Sequence, residues 1–178
     1  MHKERFLSLI EALGSYFRDS SNKEKIELFV EKAKNENAWF SDYLIRHAMN
    51  AIEEQFLTVG VWNRFFDKYP RSSNHKKRIG LILPGNLPAV GIHDVLMTLA
   101  AGHELAIKLS SQDAALMRLY IDAIKSIDST YVLETVDRLS TVDAVIATGS
   151  DFSSAYFGNY FAKIPHIIRK NRSSVAVL

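Results

Sequence analysis

The stretch Ile79-Gly80-Leu81-Ile82-Leu83-Pro84-Gly85-Asn86-Leu87-Pro88 decides the fold. Its first half is an unbroken apolar run, which is typical of a strand buried on both faces, and Pro84-Gly85 ends that strand. The residues from about Ala89 to Ala101 then have the spacing of a helix, and Gly102 suits the position just after a helix end. A buried strand that leads through a turn into a helix predicts a parallel sheet.

The same alternation of strand and helix continues to the end of the chain. Helices are predicted over about 112–127 and 152–161, and further strands over 105–107, 131–133, 143–147, 166–168 and 174–178. The predicted fold class is therefore α/β, with a parallel sheet covered by helices on both faces. Because the last strand reaches Leu178 without a polar stop signal, we expect this chain to be a truncated part of a longer protein.

Upstream of Pro70 the apolar spacing is helical, which divides the chain into a helical segment over 1–70 and an α/β domain over 71–178. Ser21 and Glu24 have the capping-box spacing that starts a second helix, and a third is predicted from about Ser41. The predicted inward faces of the first three helices are Phe6, Ile10, Leu13 and Phe17; Ile26, Phe29, Val30 and Ala33; and Leu44, Ala48, Ala51 and Ile52. The aromatic residues Trp62, Phe65, Phe66 and Tyr69 predict a shorter fourth helix that Pro70 ends, and we expect them to serve packing.

Composition excludes several classes of function. The 178 residues carry 22 basic and 20 acidic side chains, a net charge of +2, so nucleic acid is not expected as a partner. No stretch approaches the roughly 20 apolar residues that cross a bilayer, and the start does not resemble a signal peptide, so we expect a cytoplasmic protein. The absence of cysteine excludes disulfides and any thiol nucleophile within these residues.

Three turns at predicted strand ends carry polar groups, and ligands of open α/β sheets bind at such ends. The first turn presents Asn86, whose amide could stabilise an oxyanion. In the second, Lys108 with Ser110 and Ser111 suits a ribose or a phosphate. The third, Thr148-Gly149-Ser150, lets a phosphate approach the backbone. The first turn alone is equally well a plain strand-to-helix connection. In the second turn a serine before a helix is primarily an N-cap, and in the third Ser150 either caps the helix or binds a ligand.

Other site signatures are missing from the sequence. It contains neither a G-x-G-x-x-G fingerprint nor a P-loop. Its histidines are scattered without metal-ligand spacing, so no metal site is predicted.

Taken in order, the three turns resemble the aldehyde dehydrogenase superfamily. Within it, the chain looks most like the acyl-CoA reductases related to the fatty-acid reductase of bacterial bioluminescence. The resemblance covers nearly the whole chain and implies a Rossmann-like nucleotide-binding sheet behind an N-terminal helical segment. It is carried by the segments 84–88, 99–103 running into 106–110, 147–150 and 165–178, and by Trp39-Phe40.

The resemblance implies a role for each turn. Asn86 matches the asparagine whose side chain helps to form the oxyanion hole. Lys108 matches the strand-end lysine that contacts the adenosine ribose. Thr148, Gly149 and Ser150 match the turn that approaches the nicotinamide side and the pyrophosphate. The implied cofactor is NADPH, with NADH as the alternative, and the implied substrate is an acyl-CoA or another acyl thioester.

Three positions depart from the common superfamily pattern. Gly85 stands where typical members have Trp, which changes the wall of the pocket. Ser111 stands where NAD-preferring members carry Glu, so no carboxylate repels a 2′-phosphate there, and NADPH is favoured. Ile168 aligns with the Glu that activates hydrolytic water in aldehyde-oxidising members, and an apolar side chain cannot act as a general base.

The resulting hypothesis is the cofactor-binding part of an NAD(P)H-dependent acyl-CoA reductase that makes aldehydes. Its nucleophilic cysteine would lie beyond this chain, so the chain alone is expected to be inactive. The whole protein is expected to work without a membrane span, and a homo-oligomer is compatible with it. The alternatives are a stand-alone nucleotide-binding or regulatory module, and an acyl-phosphate reductase of the same superfamily.

Overall fold

A parallel sheet forms the centre of the molecule. The computed structural model describes residues 2–69 and 75–170; Pro70 and the predicted strand over 174–178 lie outside the described residues. The sheet has the order β3-β2-β1-β4-β5, and each neighbouring pair is parallel, which confirms the predicted α/β class. The strands are β1 (Arg78–Ile82), β2 (Glu104–Lys108), β3 (Leu133–Thr135), β4 (Ala144–Thr148) and β5 (His166–Arg169).

Four helices precede the sheet, and three more connect its strands. The first four are α1 (His2–Arg18), α2 (Lys23–Glu36), α3 (Asp42–Phe56) and α4 (Val59–Lys68). The connecting helices are α5 (Ile92–Ala100), α6 (Ala114–Ile127) and α7 (Asp151–Tyr160). As predicted, Gly102 follows the end of α5, and its φ of 82° is one that glycine adopts without strain.

The two faces of the sheet differ in what covers them. Successive strand residues point to opposite faces. Ile79 and Leu81 point into a large core built with α5, α6 and the N-terminal helices; we call this side the large-core face. Ile82 and Val145 point the other way, into a small cluster with Phe157 of α7, and we call that side the α7 face.

The N-terminal helices belong to the large core. Phe6 of α1 packs edge-on against Trp62 of α4, with the ring centroids 4.8 Å apart. Phe17 of α1 contacts the ring of Tyr120 in α6 at 4.5 Å. Phe6 and Trp62 are fully buried, and burial of such a side chain stabilises the fold by about 1.5–3 kcal/mol. The helical segment and the strand-connecting helices therefore share one core.

Two local predictions in the helical segment are wrong. In α3 the buried residues are Ile45 and Ile52, while Leu44 is 43% exposed, because the row that starts at Ile45 has the larger side chains. Ser21 does not cap α2. Instead the Asp19 carboxylate accepts a hydrogen bond from the Ser21 amide, which creates a short 3₁₀ turn before α2 begins. A carboxylate satisfies such a free N–H more strongly than a hydroxyl does.

Candidate functional site

The strand order creates a crevice at the carboxyl end of the sheet. The chain runs from β1 to β2 and β3 on one side, then returns to place β4 and β5 on the other side of β1. The connections after β1 and β4 therefore leave in opposite directions and expose a gap between them, which is where open α/β sheets bind ligands. Asn86 follows β1, and Thr148-Gly149-Ser150 ends β4, so these two predicted turns flank the crevice.

The first turn is held from outside by the helical segment. Asn37, which follows α2 and is 8% exposed, donates a hydrogen bond from Nδ2 to the Gly85 carbonyl oxygen at 3.2 Å. Its Oδ1 accepts from the Trp39 amide at 3.0 Å, which fixes the Asn37 rotamer. Ala89, at the other end of the turn, has a φ of 52°, in the left-handed region that costs energy for a non-glycine residue. Asn86 lies exposed between these two fixed points.

Gly85 brings the first and second turns into contact. A Cβ atom on Gly85 would collide with Ser110 Oγ, would lie 2.8 Å from Ser110 Cβ, and would lie 3.1 Å from Gln112 Cβ. A tryptophan at position 85 would therefore require the second turn to move, which accounts physically for glycine there. Ser110 Oγ also accepts a weak hydrogen bond from the Gln112 amide at 3.3 Å, whereas Ser111 is exposed.

A buried carboxyl group lies directly after the second turn. Asp113 is fully buried, and within the described residues neither of its side-chain oxygens makes a full hydrogen bond. Burial raises the pKa of Asp113 to about 8; the nearby Glu36 carboxylate adds to this rise, and the Ala89 amide opposes it. Glu36 accepts a hydrogen bond from the Ala115 amide at 2.8 Å and so holds the first turn of α6. The end of α2 and the residue after it thus hold the start of α6, which follows the second turn, and the first turn.

Lys108 projects to the α7 face, where it borders a small cavity. The side chain is exposed, and Nζ donates a hydrogen bond to the Asp137 carbonyl oxygen at 2.7 Å. The cavity measures about 140 Å³ and is also lined by Arg138 and by Tyr156 and Tyr160 of α7. Arg138 belongs to the connection between β3 and β4, which contains neither helix nor strand over the described residues 136–143.

The third turn begins α7. Ser150 Oγ accepts a hydrogen bond from the Ser153 amide at 3.2 Å and caps the helix. The Gly149 amide donates to the Arg169 carbonyl oxygen at 3.2 Å, and a Cβ atom on Gly149 would lie 3.0 Å from Ser153 Cβ. The absence of a side chain therefore lets the backbone approach α7 closely. The positive end of the α7 dipole faces the crevice, which suits an anionic group.

An ion pair that the sequence did not reveal closes the far side of the carboxyl end. Arg169, the last residue of β5, donates from Nη1 to both Asp94 side-chain oxygens at 2.7 and 2.6 Å, and His93 Nδ1 lies 3.0 Å from Asp94 Oδ1. Burial alone would raise the pKa of Asp94, but the hydrogen bonds from His93 and Arg169 hold it below its ordinary value. The sequence signal that could have revealed this ion pair is Asp94 itself, a charged residue inside the apolar run of α5.

Ile168 lies on the opposite side of β5 from this ion pair. It packs with the apolar cluster of the α7 face, near Phe157. Asp94 is the nearby carboxylate on the other side, and its two oxygens are occupied by Arg169 and His93. The end of β5 therefore presents a hydrocarbon side chain and a neutralised ion pair, neither of which is suited to activating water.

The structure brings the predicted residues to one edge of the sheet but not to one point. Asn86, Gly149 and Ser150 flank the crevice, while Lys108, the last residue of β2, points to the α7 face. Ser110 is packed against Gly85. Within residues 2–69 and 75–170, no three potential His, Asp or Glu ligands come together as a metal site would require. Across the same two ranges, no helix combines the length and apolarity needed to traverse a bilayer.

Solved structures share this architecture. A benzaldehyde dehydrogenase from Corynebacterium glutamicum has a TM-score of 0.66 and 15% identity over 94% of this chain and 41% of its own. Aldehyde dehydrogenase C from Pseudomonas syringae, solved with NAD+ and octanal, has a TM-score of 0.71 and 16% identity over 98% of this chain and 39% of its own. The chain has the aldehyde dehydrogenase fold.

The likeness covers part of each solved structure. A betaine aldehyde dehydrogenase from Staphylococcus aureus, solved with NAD+, matches at a TM-score of 0.65 and 13% identity, and there the chain covers 38% of the structure. The chain thus spans about two fifths of the length of these aldehyde dehydrogenases. No protein-family model matches the sequence. No curated protein matches it either. The solved structures therefore establish the fold of this chain.

Proposed function

We propose that this chain is the cofactor-binding part of an NAD(P)H-dependent acyl-CoA reductase, an oxidoreductase that reduces acyl thioesters to aldehydes. The proposal depends mainly on one observation. In an aldehyde dehydrogenase fold, three polar turns lie at the carboxyl edge of the sheet, and two of them flank the crevice where its strand order reverses. The resemblance in sequence assigns a donor, a cation and a phosphate-binding turn to these positions.

The residues of the carboxyl edge fit a dinucleotide. The Lys108 ammonium group donates a hydrogen bond to a neutral carbonyl oxygen, so its positive charge remains available to a ribose hydroxyl or a phosphate. Gly149 and the capped start of α7 offer backbone approach and a positive dipole to a pyrophosphate. A reduced nicotinamide bound there would supply a hydride to the acyl carbon. These residues bind and orient the cofactor and take no part in the transfer of the hydride.

Asn86 is the residue of this chain that would contact the reacting atoms. Its side chain is exposed at the crevice, while Asn37 and the Ala89 turn fix the backbone on both sides. A fixed amide donor stabilises the negative charge that develops on the acyl oxygen, because it needs little reorganisation as the charge forms. The proposal assigns the nucleophilic cysteine to residues beyond Leu178, since the 178 residues contain none.

Preference for reduction over hydrolysis has a structural basis in this proposal. Hydrolysis of an enzyme thioester needs a general base that activates water. Ile168 is apolar, and Asp94 is held ionised and occupied by its two partners. Among the described residues at the end of β5, the carboxylate is occupied and not free to act as that base, so an acyl-enzyme thioester would persist long enough to be reduced.

Two measurements test the proposed function. Calorimetric titration of the chain with NADPH and with NADH should detect binding, and failure of both nucleotides to bind would contradict the proposal. In a protein that contains this chain and reduces acyl-CoA, Asn86→Ala should lower kcat on the order of 100-fold, because one oxyanion donor is lost. Cofactor affinity should stay unchanged. Asn50→Ala, at an exposed position on α3, is the matched control and should leave kcat unaltered.

The absence of cysteine favours one other function. A nucleotide-binding or regulatory module needs the crevice and its turns but no nucleophile. The two proposals differ in the effect of Asn86→Ala, because a module without catalysis has no oxyanion for that side chain to stabilise.

A further inference from the structure

Two cations at the α7 face lack anionic partners. Lys108 Nζ donates to the carbonyl oxygen of Asp137, and Arg138 Nη2 donates to the Tyr160 hydroxyl at 3.2 Å. Both partners are neutral. Among the described residues, no carboxylate lies within ion-pair distance of either cation. Arg46, by contrast, is neutralised by two carboxylates on the molecular surface. Lys108 and Arg138 are therefore available to a bound anion.

Both cations border the same cavity, and its other wall is aromatic. The cavity measures about 140 Å³, smaller than the roughly 300 Å³ or more that holds a whole drug-sized ligand. Tyr156 and Tyr160, one turn apart on α7, stack at 5.8 Å with an angle of 22° between their planes, and they are 59% and 47% exposed. Exposed aromatic faces beside cations suit a planar base that carries an anionic substituent.

The fold holds Arg138 in this position from both sides. Before it, the Val136 amide donates to the Ile107 carbonyl oxygen at 2.9 Å, which continues the pairing of β3 with β2. After it, Leu139 is 6% exposed and is anchored in the cluster of the α7 face. The connection passes directly from β3 towards β4 without an intervening helix, and so brings Arg138 to Tyr160 of α7.

We infer that Arg138 selects a phosphorylated ribose, so that the cavity takes the adenosine 2′-phosphate of NADPH in preference to the free diol of NADH. A guanidinium binds a phosphate through two parallel hydrogen bonds, and Lys108 adds a second charge to the same anion. Ser111 supplies no carboxylate that would hold a free diol. The inference rests on the proposed function, because it specifies the ligand of that same site.

One carboxylate lowers the net positive charge of the cavity. Asp137 is also part of the lining, so Lys108, Arg138 and Asp137 together carry a net charge of one positive unit. Removal of the Asp137 charge should strengthen the binding of a phosphorylated ribose. It should have less effect on a ribose that carries hydroxyls alone.

The test uses adenosine halves of the two cofactors and the chain as it stands. Calorimetric titrations compare 2′,5′-ADP with 5′-AMP, which differ only in the 2′-phosphate. We expect 2′,5′-ADP to bind about tenfold or more tightly than 5′-AMP. Arg138→Ala should remove most of this preference and leave 5′-AMP affinity within about twofold. Arg118→Ala, at an exposed position of α6 outside the cavity, is the matched control and should change neither affinity.

The outcomes separate this inference from the proposed function. Equal affinity for the two nucleotides, or a preference that survives Arg138→Ala, overturns the role of Arg138 and leaves NAD(P)H binding in place. Failure of both nucleotides, and of NADPH and NADH, to bind overturns both. Asp137→Asn provides an independent measurement, since it should tighten 2′,5′-ADP binding. A weaker affinity in that variant would contradict the placement of the phosphate beside Arg138.

Discussion

The large-core face of the sheet is covered by a large apolar core, whereas the α7 face combines a small apolar cluster with a polar cavity. On the large-core face, α5 and α6 pack with the N-terminal helices over a continuous apolar cluster. On the α7 face the apolar cluster is small, and it is bordered by the cavity with its two cations and exposed tyrosines. Both faces belong to the same five strands, but different helices cover them.

The comparison indicates a division of tasks. Burial of apolar surface stabilises a fold in proportion to the area removed from water, and most of that area lies on the large-core face. Binding needs groups that are incompletely satisfied in the free protein, and these lie on the α7 face and at the carboxyl edge. Substitutions on the two faces should therefore affect different properties.

The largest expected effect would separate stability from binding. Leu99 in α5 is fully buried in the large core, and Leu99→Ala should lower the free energy of unfolding by about 2–5 kcal/mol. Phe157 in α7 is only partly buried, so Phe157→Ala should cost less stability but should weaken the binding of 2′,5′-ADP. Urea unfolding and calorimetry measure the two quantities. An equal loss of nucleotide affinity in both folded variants would contradict the division.

A smaller effect is expected where the first two turns touch. Gly85→Ala places a Cβ against Ser110 and should lower the free energy of unfolding by about 1–3 kcal/mol. In a Ser110→Gly background the same substitution should cost less, because both Ser110 side-chain atoms are gone. Gly60→Ala is the control. A Cβ atom on Gly60, which is exposed in α4, would meet only Arg64 Nη1 at 4.0 Å. The alanine should therefore raise the free energy of unfolding. If the losses in the free energy of unfolding from the substitutions at positions 85 and 110 were additive, they would rule out the contact between Gly85 and Ser110.

A pH titration would sharpen the description of the large-core side, which contains an unpaired buried carboxyl. The pKa of Asp113 is raised to about 8 from 3.8. Between these values the unfolded chain is ionised and the folded chain keeps its proton. The free energy of unfolding should therefore fall as the pH rises, by at most about 1.4 kcal/mol per pH unit, and level off above about pH 8.

Asp113→Asn cannot titrate, so this decline should be absent from the variant. Urea unfolding at about pH 5 and about pH 8 measures the difference from the wild type. Asp122→Asn, at an exposed position on the same helix, should keep the wild-type dependence. Parallel pH profiles for Asp113→Asn and the wild type would show that Asp113 ionises normally in the folded protein.

Much of the fold could be predicted because its strands are continuous apolar runs. The run over 79–83 became β1, and the runs over 105–107 and 143–147 became β2 and β4 within one or two residues. Strands buried on both faces show this signal regardless of their neighbours. The buried face of α3 starts at Ile45, one residue after the predicted Leu44. Both residues are apolar, so the helical periodicity does not choose between them.

The site could be predicted only as far as strand ends reveal it. Asn86, Lys108 and Gly149 follow from the positions of β1, β2 and β4. Asn37, Asp94 with Arg169, and Arg138 could not be found in that way. Each acts through a partner that is distant in sequence, as Asp94 and Arg169 are by 75 positions. Composition and periodicity carry no information about such pairs.

The hydrogen bond from Asn37 to Gly85 has a consequence for the order of folding. It spans 48 positions, and the parallel contact from Ala115 to Glu36 spans 79. Contacts of such separation carry a larger loop-closure entropy and form slowly. During synthesis the end of α2 emerges well before the turn it holds. We therefore expect the crevice to acquire its final shape among the last events of folding, after the helical segment has docked.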